Sequence, residues 1–529
     1  MFPLISDSSF LTITMEVWFI VLASFCLCLT IRAFFNLLSP SRPTPLPPGP
    51  PRIPIIGRIL FLRKSFLEIE DSLRNLRSKY GPIFNLRLRS RPLIFVADRF
   101  VAHQALVQNG SVFSDRPAAL TTSKVFGSDQ HNINTAFYGP TWRVLRRNLT
   151  SEMLHPTRIK SFSGSRKWVL NVLFNRLKSD SESSNSVKVI DHLQYAMFCL
   201  LVFMCFGEKL NEEQIKDIEH VQQSVLLSAI RFRVLNFWPR ITGILFRNRW
   251  QELFQIRKEQ ESVLVPLIRA RKKAKEEKLN RAEEGQNNSS DQIIVPYVDT
   301  LLDLEWPEEK RKLEESEIVS LSSEFINAGT DTTATALQWI MANLVKYTHI
   351  QERLVEEIRG VMGDRKEREV KEEDLKKLPY LKAVILEGLR RHPPAHFVLP
   401  HAVKEDVVLN GFLIPKDGNI NFLVAEMGWD PKVWENPMEF KPERFLNIEN
   451  GDEVFDITGS KEIKMMPFGA GRRMCPGYNL AMFHLEYFVA NLVWNFEWKA
   501  SNGGVDLSEM QVFTVMMKNP LQVHVSPRI

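Results

Sequence analysis

The feature that most constrains the fold is a proline-free stretch from Ser316 to Lys346, which reads SEIVSLSSEFINAGTDTTATALQWIMANLVK. At about 1.5 Å per residue it predicts one helix of about 46 Å, with a serine available as its N-cap. Such a helix is longer than most globular helices and apolar enough to cross the interior of the protein. Its middle, residues 328–333, reads AGTDTT, and Gly, Asp and Thr are poor helix formers. This segment therefore indicates a function rather than a contribution to helix stability.

The rest of the chain predicts a mainly α fold with small β-sheets. A second helix is expected over residues 380–391, because a Pro-Pro pair follows and proline disfavours helical backbone in the residue before it. Short strand-like segments lie near residues 84–97, 407–414 and 521–525. No Gly/Ser-rich or Pro-rich linker follows residue 57, so residues 58–529 are expected to form a single catalytic domain.

The N-terminus carries an uncharged apolar run, Val17 to Ile31, within a predicted anchor region of residues 1–38. Counted to residue 38, the run approaches the roughly 20 residues that a transmembrane helix needs. A cleaved signal peptide is the alternative, but no Lys or Arg occurs before Arg32, and signal peptides carry positive charge there. The positive charges that follow the run predict that the bulk of the chain faces the cytoplasm. The proline-rich residues 39–57 predict a stiff hinge between the anchor and the domain.

Composition argues against several function classes. A net charge of +6 over 529 residues is a mild excess, which indicates association with acidic surfaces and says nothing of the fold. No basic–aromatic interleaving indicates binding to nucleic acid. The five cysteines have no framework spacing, which argues against a disulfide scaffold. Four of them lie in apolar runs, whereas Cys475 alone lies in a polar, glycine-rich loop.

That loop, Pro467 to Gly477, reads PFGAGRRMCPG and surrounds its cysteine with groups that favour a thiolate. Glycines allow a close approach to a flat ligand, Arg473 could neutralise an anionic group, and a predicted helix N-terminus follows Gly477. A lone cysteine is often structural, and a zinc site would need further Cys or His ligands nearby. A single thiolate suits haem, because the porphyrin supplies the other four ligands in the plane of the iron.

Two further pairs have helical spacing. Glu387 and Arg390 are at i, i+3 and share a helix face, which alone indicates a surface ion pair. Trp142 and Arg146 are at i, i+4, so an indole N–H and a guanidinium could reach one carboxylate together. This second spacing is weak on its own, because any helix could carry it by chance.

Together with PPGP near residue 48, AGTDTT and KPERF, the loop PFGAGRRMCPG resembles the haem-binding signature of the cytochrome P450 family, the haem–thiolate monooxygenases. The resemblance extends from about residue 40 to the C-terminus, shows no departure from the family's core pattern, and is typical of the plant microsomal A-type clan. It implies haem b (iron protoporphyrin IX) with Cys475 as axial ligand. The implied cofactor-binding residues are Cys475, Phe468, Gly471, Arg473, Trp142, Arg146 and, as a softer propionate candidate, His401.

The same resemblance assigns roles on the helices. Asp331 and Thr332 would deliver protons for dioxygen cleavage, and Gly329 would leave room for dioxygen and substrate. By resemblance, Arg444 of KPERF joins Glu387 and Arg390 in a buried structural network near the cysteine loop.

The resulting expectation is an enzyme that inserts one oxygen atom from O2 into a small, hydrophobic organic substrate. The chain has no GxGxxG loop, so NADPH electrons would come through a separate NADPH–cytochrome reductase on the endoplasmic reticulum membrane. Arg143, Arg147 and Arg472 could steer its docking. The alternatives are a reductase-independent isomerase or dehydratase and a non-catalytic haem-binding protein. Apolar candidates for the pocket include Phe137, Phe325 and Phe513, and nothing in the sequence selects among fatty acids, terpenoids, phenylpropanoids and pigment breakdown products.

Overall fold

The structure is a computed structural model of the 529-residue chain. It describes residues 45–51, 66–87, 92–184, 186–283, 294–365, 367–416, 418–446, 455–501 and 503–528, with isolated positions between residues 18 and 31.

Helices dominate the described part of the chain. They are α1 (Phe66–Tyr80), α2 (Arg99–His103), α3 (Thr121–Phe126), α4 (Pro140–Asn148), α5 (Pro156–Ser161), α6 (Ser163–Ser183), α7 (Val189–Phe206), α8 (Glu212–Arg231), α9 (Pro239–Leu245), α10 (Arg247–Glu283), α11 (Tyr297–Leu302), α12 (Glu315–Lys346), α13 (Thr348–Met362), α14 (Pro379–Arg391), α15 (Val424–Gly428) and α16 (Tyr478–Asn495). Single π-helical turns at Gln104–Gln108 and Leu149–Met153 extend α2 and α4.

Four small sheets accompany the helices. Their strands are β1 (Ile83–Leu86), β2 (Leu93–Val96), β3 (Val187–Lys188), β4 (His401–Ala402), β5 (Val407–Leu409), β6 (Phe412–Ile414), β7 (Asn419–Phe422), β8 (Phe496–Ala500), β9 (Glu509–Gln511), β10 (Val515–Met517) and β11 (Gln522–Pro527). The largest sheet has the order β1-β2-β7-β4, in which only β2 and β7 are parallel. The mainly α architecture with minor sheets is the predicted one.

The core forms around α12, which packs along α7 and then against α14 and α16. Both α7 and α12 are buried on most sides. Their apolar residues accordingly occur on most faces of the helix and are not confined to one face. The predicted helix over 316–346 is confirmed within one residue. Its predicted serine cap is wrong: Glu314 is the N-cap, in a reciprocal capping box with Glu317.

The second predicted helix and the predicted strands are also confirmed. The predicted helix over 380–391 corresponds to α14, and β1, β2, β5, β6 and β11 occupy the strand-like segments. The cysteine loop is followed at once by α16. Helix α10 extends to Glu283, and residues 284–293 lie outside the described ones.

The predicted anchor lies largely outside the described residues. Those that are described between 18 and 31 are helical and expose large apolar side chains. Within the described part of the chain, only α7 is long and apolar enough to cross a membrane, and 83% of it is buried inside the protein, as in a core helix. In the predicted hinge, Pro45 and Pro48 accept backbone hydrogen bonds from Leu413 of β6 and Asn85 of β1 at 2.9 and 2.8 Å, so this part lies against strands of two sheets.

Candidate active site at the cysteine loop

The cysteine loop holds Cys475 just before the N-terminus of α16. The Cys475 N–H donates to the Phe468 carbonyl at 2.8 Å, which closes the loop. Burial raises the pKa of the Cys475 thiol, while the Gly477 N–H and the charge of Arg146 oppose that rise. The loop therefore holds a partly buried sulfur whose thiolate is stabilised by a nearby N–H and a positive charge.

Glycine at 471 is required by a close approach of two backbones. Gly471 has φ +70°, and a Cβ there would lie 2.0 Å from the carbonyl oxygen of Leu106 in the π-helical turn. The Phe468 ring lies 6.2 Å from the ring of Tyr478. The glycine pattern of the loop thus fixes it against the turn after α2.

A cluster of positive charge lies on one side of the loop. Arg473 donates to the carbonyls of Ser114 (2.8 Å), Ile133 (3.2 Å) and Ala136 (2.6 Å). Arg146 donates to the Met474 carbonyl at 2.6 Å. The arginines therefore tie the loop to α4 and to the chain that leads into it.

The Trp142 ring lies between these two arginines. The guanidinium carbons of Arg473 and Arg146 are 4.5 and 5.9 Å from its centroid. The predicted pair Trp142 and Arg146 is thereby brought together with Arg473.

Sequence reasoning missed Arg116, which belongs to the same cluster. It is buried and donates to the carbonyls of Asn134, Leu399 and Pro400 at 2.8 Å each. Burial and the charge of Arg473 lower the pKa of Arg116 to about 9. Burial also lowers the pKa of Arg473 to about 10, helped by Arg146 and opposed by Asp115.

His401 lies beside this cluster with its Nδ1 2.7 Å from the Phe113 carbonyl oxygen. Burial and the charge of Arg116 lower the pKa of His401 to about 3, so the ring is neutral at pH 7. A neutral ring that donates from Nδ1 has no N–H on Nε2 to offer to a carboxylate. Of the predicted propionate partners, His401 therefore fits that role only if a neighbouring carboxylate raises the pKa of the ring enough for it to take up a proton from solvent.

The cluster fits a ligand with an anionic edge. Trp142 Nε1 is buried and has no acceptor among the described residues. The guanidiniums of Arg146 and Arg473 lie near its ring, and Arg116 adds its charge to that of Arg473. These like charges raise the cost of burying one another. Two propionates of a haem would supply an acceptor for this N–H and negative charge beyond that of Asp115, so the residues present fit that cofactor.

The middle of α12 opens on one face. Ala328 is exposed although residues around it are buried, and the Thr332 hydroxyl donates to the Ala328 carbonyl at 2.6 Å. Asp331 lies to the side, toward Gln194 of α7 and Glu219 of α8. Burial raises the pKa of Asp331 to about 6, with a further contribution from Glu219, while a hydrogen bond with Gln194 opposes the rise.

The expectation for Gly329 is corrected. A Cβ at Gly329 would lie 2.7 Å from Cδ1 of Leu201, so the missing side chain makes room for α7. Glycine here allows two core helices to approach closely, and the space it leaves is not on the open face.

Among the residues predicted to line the substrate pocket, Phe325 is buried and packs in the core. Its ring lies 4.9 Å from that of Tyr297 in the core.

The predicted network around Glu387 is formed and buried. Arg390 donates to Glu387 from Nε at 2.7 Å and from Nη2 at 2.9 Å, and both side chains are fully buried. Arg444 Nε lies 3.3 Å from Glu387 Oε1, which also accepts the Lys441 N–H at 2.8 Å. Arg390 further donates to the Gly428 carbonyl at 2.7 Å, so the network joins α14 to α15 and to the KPERF turn.

A second residue that sequence reasoning missed is Glu324, one turn before Ala328 on α12. Its carboxylate accepts the backbone N–H groups of Ile133 (2.9 Å) and Asn134 (2.7 Å). Burial raises the pKa of Glu324 to about 7, and these two bonds oppose the rise. No local spacing marks either Arg116 or Glu324, because their partners are distant in sequence.

Comparison with known proteins agrees with this geometry. The sequence family described as Cytochrome P450 matches residues 47–525. Cytochrome P450 89A9 of Arabidopsis thaliana is 53% identical over 513 residues, covering 94% of this chain and 97% of that protein. Phenylacetaldehyde oxime monooxygenase CYP71AN24 of Prunus mume is 31% identical over 516 residues, covering 95% of this chain and 94% of that protein. A zebra fish cytochrome P450 solved with progesterone has a TM-score of 0.67 at 22% identity, covering 89% and 99% of the two chains.

The chain therefore belongs to the cytochrome P450 family and is an oxidoreductase. Within the family it is a plant cytochrome P450 of the A-type. The family carries haem as its cofactor, and its fold is the one described above.

Proposed function

We propose that this chain is a haem–thiolate monooxygenase that inserts one atom of O2 into a small, hydrophobic organic substrate, with NADPH electrons delivered by a separate reductase. The observation that carries the proposal is the cysteine loop. It presents a sulfur beside a cluster of buried arginines and the Trp142 N–H, which has no acceptor among the described residues. The oxime monooxygenase of Prunus mume supports a small organic substrate, because its name gives one.

Cys475 would hold the haem iron through its thiolate, and Phe468 and Gly471 shape the loop that presents its sulfur. When bound, haem supplies the redox chemistry that activates dioxygen, and a thiolate ligand favours O–O cleavage. Arg473, Arg146 and the Trp142 N–H are proposed to hold the propionates, with His401 joining them as a protonated ring. Arg116 is added to this group because it lies against Arg473.

Asp331 and Thr332 are the proposed proton carriers. The Thr332 hydroxyl lies on the open face of α12, one turn from Ala328. Because its pKa is raised to about 6, Asp331 can bind and release a proton near neutral pH. Its position toward α7 and α8 supports a route in which Asp331 takes protons from that side and passes them to Thr332.

Glu387, Arg390 and Arg444 are proposed as structural supports of the cysteine face and touch no reacting atom. Their network is fully hydrogen-bonded among the described residues and holds α14, α15 and the KPERF turn together.

A basic surface near the cysteine loop supports docking of the proposed reductase. Arg143 and Arg472 are exposed, and their guanidinium carbons lie 5.2 and 5.5 Å from the centroid of the Tyr138 ring. Lys404 Nζ lies 4.6 Å from the same centroid, and Arg147 is exposed on α4. Such a group steers an acidic partner by charge, so reduction should slow as ionic strength rises.

Membrane attachment is proposed at two places. The described residues between 18 and 31 expose Trp18 and Phe25 by 72% and 63%, as expected of an anchor that is covered by lipid. On and around α9, Ile244 and Leu245 are exposed by 82% and 70%. We therefore place a single-pass anchor in residues 1–38, a hinge in 39–57 and the catalytic domain, facing the cytoplasm, in 58–529. Resistance to carbonate extraction, lost on deletion of residues 1–38, would support the anchor, and co-fractionation with endoplasmic reticulum membranes would support the compartment.

The carbon monoxide difference spectrum of the reduced protein tests the central claim. A strongly red-shifted Soret band in the wild type, lost in Cys475→Ala, is the expected result. A histidine-type band, or a folded wild type without haem, would contradict it. Reductase-dependent NADPH oxidation with a turned-over substrate then separates a monooxygenase from an isomerase and from a non-catalytic haem protein.

A further inference from the structure

The loop of residues 127–138, which joins α3 to α4, begins with strained backbone. Ser128, Asp129 and Gln130 have φ values of +44°, +53° and +78° in succession. Residues with a Cβ adopt this left-handed region at an energetic cost, so the segment persists only if neighbouring contacts fix it. The buried Gln130 side chain supplies some of them, since it accepts the Ala119 N–H at 2.9 Å and donates to the Thr135 carbonyl at 2.6 Å.

The next contact comes from α12. Glu324 accepts the Ile133 N–H with Oε2 at 2.9 Å and the Asn134 N–H with Oε1 at 2.7 Å. Both carboxylate oxygens are thus engaged by consecutive backbone groups of the loop. This argues against a role for Glu324 as the counter-charge of a cationic substrate.

The backbone of Ile133 is held on both sides of its Cα. Its N–H donates to Glu324, and its carbonyl accepts from Arg473 Nη1 at 3.2 Å. Arg473 also donates to the Ala136 carbonyl at 2.6 Å, and Arg116 donates to that of Asn134 at 2.8 Å. The turn of residues 131–136 therefore connects α12 with the guanidinium that lies two residues before Cys475.

We propose that Glu324 is a positioning residue: it fixes the 131–136 turn against α12 and thereby orients the carbonyls that hold Arg473. If Glu324 orients the carbonyls that hold Arg473, its substitution should also change how tightly haem is retained. This predicted effect rests on the proposed function, in which Arg473 holds a propionate. The effect on the turn rests on the observed hydrogen bonds alone.

The chain offers a matched control in Glu357 of α13. Its carboxylate accepts the N–H groups of Tyr380 (2.7 Å) and Leu381 (2.9 Å), which are again consecutive backbone donors. Glu324→Gln and Glu357→Gln therefore make the same chemical change at two sites. In each, an amide NH2 replaces one of two acceptors and faces a backbone N–H.

The test is hydrogen exchange of the purified full chain by mass spectrometry at pH 8, where the Glu324 carboxylate is ionised. In Glu324→Gln, peptides covering 131–136 should exchange about tenfold faster or more, because a charge-assisted hydrogen bond is weakened. In Glu357→Gln, faster exchange should be confined to peptides around 379–382. Transfer of haem from Glu324→Gln to apomyoglobin should also be several-fold faster than from wild type or Glu357→Gln.

Exchange of the 131–136 peptides within twofold of wild type in folded Glu324→Gln would overturn the proposal. Faster exchange with an unchanged rate of haem transfer would overturn the link to Arg473. If Glu324→Gln fails to fold by circular dichroism, Glu324→Asp is used, whose carboxylate is one methylene shorter and cannot reach both N–H groups. It should show a smaller increase in the same peptides, and no increase would again refute the role. The exchange result needs no reductase or turnover, so failure of the monooxygenase assignment would be seen separately in the carbon monoxide spectrum.

Discussion

Substitution of alanine for Gly471 should disrupt the cysteine loop far more than the same change at Gly477. At Gly471 the backbone has φ +70°, and the new Cβ would lie 2.0 Å from the Leu106 carbonyl oxygen. Ordinary contact begins at 3.4 Å, so the loop and the π-helical turn would have to separate by about 1.4 Å. A left-handed residue with a Cβ costs about 1–2 kcal/mol, and overpacking costs about 1–3 kcal/mol more. The expected loss is therefore about 2–5 kcal/mol, taken directly from the segment that holds Cys475.

Gly477 is the matched control, because nothing lies within 4 Å of a Cβ built there and its φ of −89° suits any residue. Gly469 is intermediate: its φ is +71°, but its nearest neighbour is Val398 at 3.8 Å. The assay is haem content with the reduced carbon monoxide spectrum, followed by the temperature at which Soret absorbance is lost. The variants should rank Gly477→Ala, close to wild type, then Gly469→Ala, then Gly471→Ala. Equal behaviour of Gly471→Ala and Gly477→Ala would refute the steric reasoning.

Three other predictions concern buried polar groups. Trp142→Phe removes an unpaired buried N–H, so the free energy of unfolding of the haem-free chain should rise by about 1–3 kcal/mol. The holoprotein should lose haem faster, and slower haem loss would contradict the propionate role. Glu387→Gln leaves the buried charge of Arg390 without a counter-charge and should cost about 3–5 kcal/mol, measured as earlier thermal loss of Soret absorbance, whereas the exposed Glu212→Gln should change little. Burial raises the pKa of Glu486 to about 7, so its folded form binds a proton more tightly and wild-type stability should fall as pH rises from about 4.5 to about 7. Glu486→Gln should lack that fall and be the more stable chain at pH 8, by up to about 3 kcal/mol, with the difference vanishing below about pH 5; parallel melting curves across pH would contradict this.

Sequence predicts best where the relevant contacts are local. The helix α12 follows from the absence of proline and the apolar composition of residues 316–346, and the order of loop and α16 follows from glycines before a helical pattern. The pair Glu387 and Arg390 is likewise set by i, i+3 spacing, although spacing alone could not show that both are fully buried.

Contacts between segments distant in sequence were not predictable in this way. Arg116 reaches carbonyls at Leu399 and Pro400, and Glu324 reaches N–H groups at Ile133 and Asn134, more than 180 residues away. No periodicity encodes such a pairing. The only local signal for Glu324 was an acidic residue in an otherwise apolar stretch, because an acid that becomes buried must find hydrogen-bond donors.

The sequence also does not show which neighbouring residue occupies the space beside a glycine. Gly329 occurs in the AGTDTT segment, so sequence reasoning assigned its free space to the reaction. The structure directs that space at Leu201, on the helix α7 behind the site. The open face belongs instead to Ala328 and Thr332, which are separated by one helical turn.

The arginine cluster gives a physical reason for haem binding and folding to be coupled. Arg116, Arg146 and Arg473 bring like charges together in a buried place, Asp115 offsets them only in part, and burial holds the pKa of each below its usual value. Trp142 adds a donor with no acceptor among the described residues. Each of these groups makes the haem-free fold less stable. A ligand with two negative charges at its edge would offset these costs together. A ligand that binds only the folded state stabilises that state, and tighter binding stabilises it more. The residues proposed to hold the cofactor are thus the ones that destabilise the chain without it.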